Sequence, residues 1–305
     1  AGDVLGFTAQ NGITGTYDSA TGVLTLTGTA TVAQYQAALR SVTYVSTSDN
    51  PTAISTTRTL DWAVDDGQTV NHASNVATST ITITPVNDPA SISAPVVALT
   101  ETNAVLTASG TLTITDVDSA TTFIAQTNVA GSGGYGTFTV NADGTWTYAT
   151  NNAQNQFIAG QVYTDTITVA SADGTTSTIT VNITGTNDAP VDGNETSVVT
   201  KNTTLTVPAA SGLLANNSDV DGSSPRITTF TIAGILDGSG NPVIFFADGT
   251  SCSIPNIGSL TVNADGSYRF TPVADYMGSV PTVTYTVSDG KGGVDTSTLD
   301  ITVTI

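Results

Sequence analysis

Alternation with a period of two runs through almost the whole chain. It is clearest in GVLTLTG (22–28), GTLTIT (110–115), GTFTV (136–140), TDTITV (164–169), GSLTV (258–262), TVTYTV (282–287) and LDITVTI (299–305). Apolar residues fall on one side and mostly threonines on the other, the pattern of half-buried antiparallel strands. Asp-Gly and Asn-Gly pairs punctuate these runs as hairpin turns. One stretch departs from the rule. In TVAQYQAAL (31–39), Val32, Tyr35 and Leu39 recur at helical spacing, which predicts a short crossing helix or turn.

The strand pattern is itself repeated. GTFTVNADGTWTY (136–148) matches GSLTVNADGSYRF (258–270) almost position for position. Each reads as strand, Asn-Ala-Asp-Gly turn, then a strand with an inward aromatic. Asp143-Gly144 and Asp265-Gly266 supply the positive φ such a turn needs. A later strand ends in Asp-Gly at 173–174, at 289–290 and, in the first part of the chain, at 66–67. Two further segments, PVNDPA (85–90) and GTNDAP (185–190), each follow a Thr/Ile alternation and are closed by proline. They predict the end of a strand followed by a stiff joint.

Three units follow, 1–88, 89–188 and 189–305, each an all-β sandwich of the immunoglobulin or cadherin kind. The first is short at its start and is expected to be N-terminally incomplete. The last stops where the next Asn-Asp joint would begin, so both ends are expected to be cut from a longer array. The third unit carries extra residues. Its hairpin strand starts 71 residues after the joint (Asp188 to Ser259), against 49 in the second unit (Asp88 to Thr137). The surplus is assigned to a region around 235–256.

Composition narrows the partners. At 305 residues the chain suits two or three domains. Six Lys and Arg face 25 Asp and Glu, a formal net charge of −19, which excludes nucleic acid and direct membrane insertion as expected partners and attracts cations. All the acids except Glu101 and Glu195 are aspartates. Aspartate suits turns and is a short, hard oxygen ligand for calcium; a soluble acidic surface needs no more than the same charge. A hydrophobic content of 39% and strict alternation argue against disorder. Cys252 is the single cysteine, so there is no disulfide framework and no thiolate zinc site. No apolar run reaches the ~20 residues of a membrane span, and no signal peptide opens the chain at Ala1.

The run TVNADGTWTY…DTITVASADG…ITVNITGTNDAP in the second unit resembles the VCBS repeats of very large bacterial adhesins. The third unit, with SGLLANNSDVDG…LTVNADGSYRFTP…YTVSDGKGG, resembles the related bacterial cadherin-like tandem repeats. The first, with GVLTLTGTATVAQYQAALRSVTY…VDDG…TPVNDPA, is similar to a third repeat type of the same proteins. The resemblance covers essentially the whole chain. It implies a non-enzymatic segment of a type I secreted, RTX-class surface adhesin. Such a segment joins a cell-anchored end to ligand-binding domains that serve attachment or biofilm formation. The glycine-rich RTX nonapeptide is absent, and SDGKGGVD (288–295) does not match it.

The resemblance further implies Ca²⁺ at each joint. The ligands would be Asn-Asp from the linker, Asp-x-Asp and the last-hairpin Asp from the following unit, and a glutamate from the preceding one. For the second joint these are Glu101, Asn187, Asp188, Asp219, Asp221 and Asp289. For the first joint they are Asn87, Asp88, Asp116, Asp118 and Asp173, with the matching glutamate in the missing start of the first unit. Asp66 and Glu195 would be half-sites completed beyond the ends. Alternate residues of an extended loop point the same way, so Asp-x-Asp aims two carboxylates together. Taken singly, TDVDS and SDVDG also suit plain loop starts, and Asn-Asp-x-Pro a plain strand-ending turn.

Catalysis finds little support. His72, the single histidine, lies in the polar loop QTVNHASN, and Cys252 has no nearby base and reads as a buried strand residue. Trp62 and Trp146 alternate within strands and read as core. The rival reading is a glycan- or peptide-binding module in the 235–256 insertion, with Phe245-Phe246 as the contact. Adjacent strand residues face opposite sides, so one of the pair is expected to point outward. Expected partners are therefore the neighbouring repeats and, on the rival reading, a host or biofilm surface glycan or protein.

Overall fold

The computed structural model describes residues 2–305. The alternation folds as expected. In the second unit, Gly136–Val140 is buried at every other position, and Phe138, Val140, Trp146 and Tyr148 point into one core. This strand sits in an antiparallel sheet of order Gln126–Ala130, Gly136–Val140, Thr145–Thr150, Thr107–Thr111. A second sheet pairs Val162–Ala170 with Thr176–Thr184, and the latter runs parallel to Val96–Thr100. Its Ile167, Val169, Ile179, Val181 and Ile183 close the core from the other side. The Asn-Ala-Asp-Gly turns form, with Gly144 and Gly266 at φ 84° and 82°.

One acid breaks the pattern. Asp165 in TDTITV faces inward and is fully buried. Its carboxylate accepts from the Gly133 and Gly136 N–H groups at 2.7 and 2.9 Å and from the Tyr148 hydroxyl at 3.1 Å. A β-carbon on Gly131 would lie 2.0 Å from this carboxylate, so only glycine fits there.

The third unit repeats the plan. Leu205–Val207, Tyr268–Pro272, Gly258–Asn263 and Asp248–Ile254 form one sheet. The other contains, in order, Glu195–Thr200, Val294–Thr304, Val283–Ser288, Arg226–Ile232 and Phe245–Phe246. Phe230, Leu260, Phe270, Tyr285 and Ile301 lie in its core, which shares no residue with that of the second unit. The surplus residues of this unit build a turn bridged at Leu236 and Pro242 and the edge strand Phe245–Phe246. Cys252 is buried in Asp248–Ile254.

In both units the first long strand is parallel to the last, and the registers correspond. Thr100 faces Thr184, and Thr200 faces Thr304. The next N–H on each strand, of Glu101 and of Lys201, donates to that final threonine's carbonyl at 2.8 and 2.9 Å. Lys201 therefore stands in the third unit where Glu101 stands in the second.

Residues 2–88 are built differently. Thr14–Asp18 pairs with Val23–Thr27, Thr57–Trp62 with Ala77–Thr82, and Asp3–Gly6 with Thr43–Ser46. The expected helix is Val32–Arg40, capped by Thr31 and Gln34 acting reciprocally. Ile13 and Ala38 are fully buried here, but neither belongs to a core cluster. Trp62 is half-buried, with its indole N–H on Ser79 Oγ at 3.0 Å. The Arg58 guanidinium, 2.5 Å from Asp3, helps hold this unit together and keeps the Asp3 carboxyl below the usual range.

Candidate functional site

The joint at 185–190 leaves the strand Thr176–Thr184 and enters the third unit. Four segments converge on it. From the second unit, Glu101 is only 2% exposed, and its Oε2 accepts the Thr186 N–H at 2.9 Å. From the linker, Asn187 Nδ2 donates to the Asp188 carbonyl at 3.0 Å and to Asp289 Oδ2 at 2.5 Å. From the Asp-x-Asp loop, Asp221 Oδ2 accepts the Asp188 N–H at 2.7 Å, and Asp219 Oδ1 accepts the Asp221 N–H at 2.8 Å. From the last hairpin, Asp289 Oδ1 accepts the Lys291 and Gly293 N–H groups. The Ala159 N–H of the second unit reaches across to Asp221 Oδ1 at 2.6 Å.

The joint at 85–90 repeats the network at corresponding residues. Asn87 Nδ2 donates to the Asp88 carbonyl at 3.1 Å and to Asp173 Oδ2 at 3.3 Å. The Asp88 N–H donates to Asp118 Oδ2 at 3.2 Å, and the Asp118 N–H to Asp116 Oδ1 at 2.9 Å. The first unit touches this loop through Asn50 Nδ2, 2.8 Å from the Val117 carbonyl. Asp49, beside it, lines an open cleft with Asp88 and Asp116. Asp49 was not singled out in the sequence because TSDNPT recurs nowhere else in the chain.

Electrostatics distinguish the acids. Burial pushes Asp188 up to about 6, aided by the charges of Glu101, Asp221 and Asp219. The hydroxyls of Ser171 and Thr175 hold Asp173 well below the usual range. Burial opposes the charge on Asp289, but its donors Asn187, Lys291 and Gly293 outweigh it and hold the carboxyl low.

The two half-site candidates join neither joint. Asp66 accepts the Gln68 N–H and donates its own N–H to the His72 carbonyl, while His72 Nδ1 meets Asp65 at 2.7 Å. Glu195 begins its strand, six residues before the place equivalent to Glu101. It lies with Asp192 against the buried Tyr285 hydroxyl, which is 2.8 Å from Asp192 and in short contact with Glu195. Burial raises both carboxyls above the usual range.

Among the described residues, no group of three or more His, Cys, Asp or Glu is gathered into a ready metal cluster. The fit of a cation rests instead on unpaired oxygens. Glu101 Oε1, Asn187 Oδ1, Asp188 Oδ2 and Asp219 Oδ2 are buried without a hydrogen-bond partner at the second joint. Asp116 Oδ2 and Asp118 Oδ1 are in the same state at the first. Buried polar atoms are nearly always paired, and an unpaired one invites an ion or a water. All six are oxygens, five of them carboxylate, which suits a hard cation such as calcium and not a thiophilic metal.

The family model described as the bacterial cadherin-like domain matches residues 87–185 and again 187–305. Halomucin of Haloquadratum walsbyi is 32% identical over 217 residues, 70% of this chain and 2% of halomucin. The chain thus spans a small fraction of that relative. Among solved structures, the human desmocollin-1 ectodomain is 14% identical with a TM-score of 0.38, over 100% of this chain and 54% of that one. Protocadherin gamma C5 EC1-3 is 11% identical with a TM-score of 0.39, over 99% of this chain and 89% of that one. No helix among the described residues is long and apolar enough to cross a membrane.

Proposed function

The chain belongs to the bacterial cadherin-like domain family, and from that premise we propose that it is a calcium-stiffened extender of a bacterial cell-surface adhesin. In this reading 1–88, 89–188 and 189–305 are successive units with a cation-binding joint at each boundary. The observation that carries it is the set of four buried, unpartnered oxygens contributed to one joint by Glu101, Asn187, Asp188 and Asp219.

The mechanism is positional. Bound calcium would supply positive charge to carboxylates that otherwise repel one another. Glu101 belongs to the lower unit, Asn187 and Asp188 to the linker, and Asp219 to the upper one, so holding all four fixes the units against each other. At the first joint Asn87, Asp88, Asp116, Asp118 and Asp173 would act alike. Extracellular calcium modules bind at roughly 0.1–1 mM; calcium at ~1 mM outside the cell would half-fill to fill them and stabilise a joint by ~0.4–1.4 kcal/mol for each ion bound. At low cytoplasmic calcium the joints would lack the cation that locks them, which suits type I export. The cadherin-like family and the likeness to halomucin support an extracellular surface location, with a part in attachment or biofilm formation and no catalysis.

Small-angle scattering of the whole chain in calcium and in chelator tests the rod. Calcium should increase the radius of gyration, and Asp116→Ala and Asp219→Ala should each cancel part of the increase. Equal radii in the two conditions would refute it.

One observation favours a second reading, a glycan- or peptide-binding module in the insertion. Phe245 packs on Phe230 with ring centroids 5.3 Å apart, while Phe246 is 68% and Ile244 63% exposed on the same edge. Binding on a glycan array that is lost in Phe246→Ala would support it; an array blank for both proteins would end it.

A further inference from the structure

We propose that the two joints load with calcium in a fixed order, the 187–188 joint first and the 87–88 joint at higher concentration, so that the chain stiffens from its C-terminal half. This rests on the calcium reading above and adds a ranking to it.

Three differences point the same way. The first is burial. At the second joint Glu101 is 2%, Asp188 8% and Asp289 8% exposed, whereas Asn87 and Asp88 at the first are exposed. Carboxylates removed from water gain most from a neutralising cation, because unpaired charge there is held at low dielectric.

The second is the source of the free oxygens. Those of the second joint come from both units and from the linker; those of the first, Asp116 Oδ2 and Asp118 Oδ1, come from a single loop. The first unit offers only the exposed Asp49 across the cleft, where the second unit offers the buried Glu101. Calcium affinity rises with the charge gathered and with the rigidity of the cage.

The third is preorganisation. The Ala159 N–H grips Asp221 across the joint, and the Thr186 N–H at the start of the linker grips Glu101, so the acid-bearing loop is tied to the second unit and the glutamate is fixed in place before a cation arrives. The inter-unit contact at the first joint, Asn50 to the Val117 carbonyl, leaves the carboxylates unheld by the first unit. A joint already closed loses less freedom on binding.

Calorimetric titration of calcium chloride into the chelator-stripped whole chain tests the order. Two phases are expected, with dissociation constants at least about tenfold apart. Asp219→Asn should remove the tighter phase and leave the weaker; Asp116→Asn should do the reverse. Glu101→Gln serves as a second variant at the tighter joint, and it decides the matter if Asp219→Asn melts differently from the parent in chelator. Loss of the tighter phase in Asp116→Asn would overturn the order, as would a single phase that each variant halves. The absence of any binding heat up to ~10 mM calcium would instead sink the calcium reading itself, an outcome that no reversal of the order produces.

Discussion

Asp188→Asn should stabilise the calcium-free protein near neutral pH while abolishing cation binding at its joint. Asp188 is 8% exposed, and Oδ2 has no partner. Burial and the charges of Glu101, Asp221 and Asp219 push its carboxyl from the ordinary 3.8 to about 6. That gap corresponds to about 3 kcal/mol against the ionised form in the folded state. A folded-state value above the unfolded one contributes stability that is fully present below pH ~3.8 and lost as the pH rises through about 6. At pH ~7.5 the ionised Asp188 therefore destabilises the closed joint by up to about 3 kcal/mol. Asparagine keeps the volume and sheds the charge. For units of about 100 residues, 1 kcal/mol moves the melting temperature by ~4–8 °C. The variant should melt higher than the parent in chelator at pH ~7.5, by up to roughly 12–24 °C, and at nearly the same temperature near pH ~4. Thermal melts followed by circular dichroism at both pH values measure this, with the change assigned to the transition that involves the joint. Equal melting of variant and parent at pH ~7.5, or a difference that persists unchanged at pH ~4, would refute the reasoning. In calcium the order should invert, since the parent gains binding energy that the variant has lost.

Asp49→Asn should weaken only the weaker calcium phase, by a few-fold, because Asp49 lines the first joint's cleft and no part of the second; calorimetry reads this directly. Asp165→Ala strands two backbone N–H groups and the Tyr148 hydroxyl in the core and should destabilise the second unit by about 3 kcal/mol or more, measured by denaturant unfolding, with calcium affinity unchanged. Tyr285→Phe takes the shared donor from Asp192 and Glu195 and should destabilise the third unit by ~1–3 kcal/mol at neutral pH. Burial raises both carboxyls above the usual range, so this loss should shrink on acidification, as protonation removes the buried charge that the hydroxyl stabilises.

Repetition is what made the joints legible. Asn-Asp, Asp-x-Asp and the hairpin Asp-Gly recur at matching places, and the structure brings Asn187, Asp188, Asp219, Asp221 and Asp289 near Glu101 at one joint, the grouping that the family resemblance implies. Glu195 does not stand at the place equivalent to Glu101. Both glutamates lie near unit starts, but which end of the first strand each occupies depends on the parallel register with the last strand, a long-range pairing that no local pattern records. Asp165 was equally hidden. In TDTITV an aspartate between threonines reads as outward-facing, and its burial depends on donors from residues 133, 136 and 148. The alternation of residues 2–88 predicted strands correctly but not their failure to enclose a core, since period two reports which face is apolar and not whether anything covers it.

Lys201 gives the array a grammar. Its backbone occupies the station of Glu101, so an Asn-Asp linker following the third unit would meet an ammonium group instead of a carboxylate. Such a junction would close by direct charge pairing, would tighten at low salt rather than high calcium, and would ignore chelators. On the calcium reading the units are thus not interchangeable beads: exchanging the second and third would alter which solute controls each bend.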